Sequence, residues 1–95
     1  MNKGNYRMKI KDGYILETIG EQKIAIALEV TPDKFSGMIK LNHVGAFLWE
    51  LLMEDVEKDF LVKELTKKYD ISDEIAGNDV KAFLDILEKN GILEK

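Results

Sequence analysis

MIKLNHVGAFLWELL, residues 38–52, decides how this chain folds. Met38–Leu41 is a short run of strand-forming character, with Ile39 and Leu41 pointing one way and Met38 and Lys40 the other. An amphipathic helix follows at once. Asn42 is its expected cap, because the side-chain oxygen accepts from free N–H groups of the first turn. Val44, Phe47, Leu48, Leu51 and Leu52 fall at i, i+3, i+4, i+7 and i+8 and make one apolar stripe. Gly45 and Trp49 form a neighbouring i, i+4 pair, in which glycine allows close backbone approach and the indole fills the adjacent volume. The stretch therefore welds a strand to a helix.

Downstream, two more helices are expected. The spacing predicts the first helix over 42–53 and the second over 60–69, with Asp59 as cap and Val62, Leu65 and Tyr69 as its stripe. Between them, residues 54–59 read as a polar connector anchored by Val56. Ser72 is a good cap for the third helix, with Asp73 and Glu74 where the helix dipole favours acids. That helix runs to Asn90, and Gly91 is its C′ stop. Upstream, Tyr14–Ile19 and 23–28 read as two strands of a hairpin around Gly20-Glu21. In the second, Ile24, Ile26 and Leu28 are expected to face the core, with Ala25 and Ala27 turned away. Residues 1–8 read as a flexible tail, although Tyr6, Met8 and Ile10 alternate as an extra strand would. Residues 31–37 form a loop.

Strands precede helices instead of alternating with them, which excludes a βαβ parallel sheet. The expected fold is α+β and winged-helix-like: a three-stranded antiparallel sheet followed by three α-helices, all in one domain over 1–95.

Ninety-five residues suit one modest core, and 45% hydrophobic residues suffice to build it. The net charge of −4 offers no general attraction to nucleic acid or to anionic membranes. The chain has no cysteine, which removes disulfides, thiolate metal sites and a thiol nucleophile. No apolar run approaches the roughly 20 residues of a membrane span, and the start carries no secretory signal. A cytoplasmic protein is the expectation.

On a helical wheel the third helix carries an apolar arc wider than a core-facing helix needs. Either the helix is central and both flanks meet the domain's own sheet or helices, or one flank, Ile75, Ala82 and Ile86 or Val80 and Leu84, has surface to spare for a groove. The same helix holds five acids (Asp73, Glu74, Asp79, Asp85, Glu88) and two lysines (Lys81, Lys89), so 2 − 5 = −3. A helix that reads DNA presents basic and amide side chains to bases and phosphates. This one repels a duplex, which weighs against the first rival function, a winged-helix DNA-binding regulator. A second rival is a dimerisation or interaction domain that uses an exposed sheet edge; the oligomeric state is left open.

Catalytic chemistry has little to build on. His43 is the single histidine and stands without an obvious partner, so neither a zinc site nor a nucleophilic triad can be assembled around it. No glycine-rich phosphate cradle occurs. The chain reads as a binding module, not an enzyme, with no cofactor or metal. If the third strand lies at a sheet edge, its unpaired backbone groups can receive an extended peptide.

The segments FSGMIKLNHVGAFLWELL, FLVKELTKKYDIS and DVKAFLDILEKNGILE resemble the PqqD-like family. The strongest element is Leu41, Asn42, Gly45, Trp49, Leu51 and Leu52; Tyr69-Asp70, Asp79-Val80, Phe83-Leu84 and Gly91-Ile92-Leu93 follow in order. The resemblance implies a RiPP recognition element, a small domain that binds the leader of a ribosomally made precursor peptide. Such a domain presents the leader to a modifying enzyme, often a radical SAM protein. It also implies that the leader is held as an added strand on Met38, Ile39, Lys40 and Leu41. The same leader would pack on a helix face drawing on Ile75, Asp79, Val80, Phe83, Ile86 and Leu87, with Phe35 as a pocket wall.

Overall fold

A computed structural model describes residues 7–28 and 38–94. In chain order the elements are β1 (Arg7–Ile10), β2 (Tyr14–Ile19), β3 (Gln22–Ala27), β4 (Met38–Leu41), α1 (His43–Leu51), β5 (Val56–Glu57), α2 (Lys58–Tyr69), α3 (Asp73–Lys89) and β6 (Leu93–Glu94). The expected architecture is present: a three-stranded antiparallel sheet in the order β2-β3-β4, followed by three helices.

The β2–β3 hairpin closes through Gly20-Glu21, with Ile19 opposite Gln22. Gly20 takes a φ of 64°, the left-handed conformation that a tight two-residue hairpin turn requires and glycine supplies without strain. Directly paired residues share a face. Tyr14 and Leu16 of β2 therefore line up with Ala27 and Ala25 of β3, and Ala25 with Ile39 of β4. This is the face that joins the core.

The expected orientation of β3 is thus reversed. Ala25 and Ala27 lie on the face that joins the core, whereas Ile24 and Ile26 lie on the opposite face, where Ile24 is nonetheless buried, and Leu28, just past the strand, is exposed. The reason is steric. β3 is the central strand, and its inward face is flanked by Tyr14 and Leu16 on one side and Ile39 on the other. Small residues fit between those larger neighbours.

A second, smaller sheet, β5-β1-β6, was only partly foreseen. Met8 pairs with Val56, and Ile10 with Leu93. Arg7 and Met8 are therefore strand residues, not part of a tail, and the 54–59 connector contains β5. Beyond its strand partners, β1 stitches two helix ends together. The Ile10 N–H donates to the Leu52 carbonyl at 2.8 Å, and the Lys11 N–H to the Ile92 carbonyl at 2.8 Å. Each bond satisfies a carbonyl at or just beyond a helix end.

Helix ends follow local chemistry in two of three cases. Asn42 caps α1 by accepting from the Gly45 N–H at 2.7 Å, and Ser72 caps α3 by accepting from the Ile75 N–H at 3.2 Å. Helix α1 ends at Leu51, two residues short of its expected limit. Helix α3 closes in a Schellman arrangement: Gly91 has a φ of 70°, its N–H donates to the Glu88 carbonyl, and the Ile92 N–H donates to the Leu87 carbonyl. Asp59 is not the cap of α2. Glu57 holds that position without a side-chain bond, because the backbone arrives extended from β5 and turns at once.

The core gathers Leu48, Trp49 and Leu52 from α1, Leu61 and Leu65 from α2, and Ala76, Val80, Phe83, Leu84 and Leu87 from α3. Met8, Ile10, Tyr14, Ala25, Ile92 and Leu93 close it from the two sheets and the chain end. Trp49 is fully enclosed, and its Nε1–H has no hydrogen-bond partner among the described residues.

Candidate functional site: an open strand edge beside helix α3

Strand β4 pairs with β3, and among the described residues no strand covers its far edge. In an antiparallel pair, every second residue of β4 turns its N–H and C=O away from β3. A short ladder of donors and acceptors therefore faces outward. Ile39 and Leu41 are half-buried on the core side, while Met38 (65% exposed) and Lys40 point to the outer face, as the alternation predicted.

At the end of the strand, Leu41 and Phe83 of α3 both flank Gly45 of α1. Val80 and Leu84 are buried in the core, whereas Ile75 is 52% and Ile86 46% exposed, with Ala82 exposed between them. The flank left open by the sequence is thereby identified as Ile75, Ala82 and Ile86. Asp79 lies on this same flank, half-buried. Where the end of β4 turns into α1, a groove of about 200 Å³ opens between Asn42, Val44 and Gly45 on one side and Asp79, Ala82, Phe83 and Ile86 on the other. Gly45 is what lets α1 come this close. A Cβ there would stand 3.3 Å from Phe83 Cε1, tighter than ordinary packing.

Of the expected site residues, the structure places Met38, Ile39, Lys40 and Leu41 on the open strand. Asp79, Phe83 and Ile86 line the groove and Ile75 extends its flank, with Phe83 as a largely buried floor. Val80 and Leu87 are fully buried and back the helix from behind. Phe35 lies outside the described residues. Val44 and Ala82 were not singled out as site residues. Ala82 was legible, since it stands between Ile75 and Ile86 on the helical flank. Val44 was hidden because it also belongs to the apolar stripe of α1.

Among the described residues no cluster of His, Cys, Asp or Glu is placed to hold a metal ion. His43 is exposed in the first turn of α1. No helix among these residues is long and apolar enough to cross a membrane.

The sequence matches the family model described as coenzyme PQQ synthesis protein D (PqqD) over residues 14–93. No curated protein matches the chain. A solved structure described as TbiB1 in complex with the TbiA(beta) leader peptide superimposes with a TM-score of 0.73 at 23% identity, covering 90% of this chain and 94% of that one. That likeness is one of fold.

Proposed function

Because the chain belongs to the coenzyme PQQ synthesis protein D (PqqD) family, we propose that it is a non-catalytic adaptor for the leader of a ribosomally synthesised precursor peptide. The leader adds to the open edge of β4 as a further strand. Its inward side chains settle in the groove against α3. Backbone bonds provide affinity for any extended segment, and the groove provides selectivity. A disordered leader loses conformational entropy when it becomes a strand, and the apolar groove walls offset that cost. The adaptor then presents the ordered peptide to a modifying enzyme, for which a radical SAM maturase is the proposed class.

The observation that carries this reading is a strand edge that no described strand covers, ending at Leu41 and Asn42 where a groove opens against the exposed apolar flank of α3. It is also supported by the fold shared with a protein solved in complex with a leader peptide. The acidic surface of α3 speaks against a duplex as ligand.

Titration of the isotope-labelled chain with the leader of a short peptide encoded beside its gene tests the proposal. Amide shifts should concentrate on Met38–Leu41 and on the Ile75, Asp79, Ala82 and Ile86 flank. Shifts confined to the far end of α1 and the 54–57 connector would refute it.

A further inference from the structure

We propose that Asp79 selects for a lysine or arginine in the bound leader strand, next to the apolar residue that fills the groove. This inference rests on the peptide-binding reading above and adds the chemistry of the ligand. Asp79 lines the groove, is half-buried, and makes no hydrogen bond or ion pair among the described residues. A carboxylate withdrawn from bulk water without a partner gains when a cation arrives.

Among the described residues, the lysines nearest in sequence to the groove residues are otherwise placed. Lys81 is bonded to Asp85 at 3.2 Å across one helical turn. Lys40 projects from the opposite face of the sheet to Ile39 and Leu41. No basic residue lines the groove, and α3 as a whole carries an excess of acids.

The other walls suit a long basic side chain. Val44, Ala82, Phe83 and Ile86 form an apolar channel that leads past the carboxylate. Lysine and arginine lay their methylene stems along apolar surface and keep the charged head at a polar end. A strand added to β4 sends alternate side chains to the face that Ile39 and Leu41 occupy, and at the end of that face Leu41 adjoins Gly45, which lines the groove. The basic residue of the added strand lies on that face, with its long side chain extended past Gly45 toward Asp79.

The test is selection of random peptides of about 12 residues, long enough for one strand, displayed against the full chain and against Asp79→Asn and Asp79→Lys variants. Each selected peptide is checked for amide shifts at Met38–Leu41, and each variant for an unchanged unfolding midpoint. Binders of the unaltered chain should carry Lys or Arg at one fixed spacing from an apolar residue. They should lose about tenfold in affinity for the Asn variant, equivalent to about 1.4 kcal/mol. The Lys variant should reverse the preference to Asp or Glu.

Binders that perturb Met38–Leu41 but show no basic preference, or keep the same preference with Asp79→Asn, overturn this inference and leave the peptide-binding reading standing. In that case Asp79 complements only the positive end of α1. If no selected peptide perturbs Met38–Leu41, the reading and the inference fall together.

Discussion

Gly45 and Phe83 meet where α1 begins beside α3. A Cβ on Gly45 would lie 3.3 Å from Phe83 Cε1 and 3.3 Å from Asn42 Oδ1, the oxygen that caps the helix. The first turn of α1 is therefore seated against α3 with no room for a branched side chain. Gly45→Val forces the buried Phe83 ring or the cap to move and should cost about 1–3 kcal/mol. Urea unfolding followed by circular dichroism measures it. Unchanged stability would mean that the two helices are not in this contact.

Asn42 is the hinge between β4 and α1, and its cap bond is short at 2.7 Å. Asn42→Ala should lower stability by about 1 kcal/mol, and Asn42→Ser should retain most of it. The same unfolding experiment separates the two variants.

Trp49 combines full burial with an indole N–H that has no partner among the described residues. Trp49→Ala should cost about 3–5 kcal/mol through the cavity it leaves. Trp49→Phe should cost much less than its loss of volume suggests, because it removes an unsatisfied buried donor worth about 1–3 kcal/mol. A Phe variant as damaged as the Ala variant would show that the indole nitrogen is satisfied in solution.

Adjacent positions on α3 should respond in opposite ways. Ile86 is 46% exposed on the groove side, whereas Leu87 is enclosed in the core. Ile86→Ser should change stability by no more than about 0.5 kcal/mol while weakening leader binding several-fold. Leu87→Ala should cost about 2–5 kcal/mol in stability. Calorimetric titration beside denaturant unfolding distinguishes a binding residue from a supporting one.

These contrasts also show what the amino-acid sequence discloses. The caps at Asn42 and Ser72 and the stop at Gly91 were legible, because each is decided by one side chain or one glycine acting over a few residues. The sheet-then-helices order was legible from periodicity. The pairing of β1 with β5 and β6 was not. Those contacts join residues far apart in the chain through two-residue bridges, too short to show a period. The start of α2 shifted for the same reason, since β5 fixes where the backbone stops being extended. In β3 both faces are apolar, so residue size gave the wrong inward side. On α3 the wheel showed excess apolar surface, but only packing reveals that Val80 is covered and Ile86 is not. The family resemblance puts Asp79 on the leader-binding face, but only the folded groove places it beside Val44 and Phe83.

The central claim is that a peptide completes the sheet at β4, and backbone amide exchange of Met38–Leu41 tests it most directly. In the free chain, alternate β4 amides bonded to β3 should exchange slowly and the intervening ones fast. With saturating leader peptide the fast set should become protected while the slow set changes little. Binding that leaves the fast set unprotected would contradict strand addition, whatever its affinity.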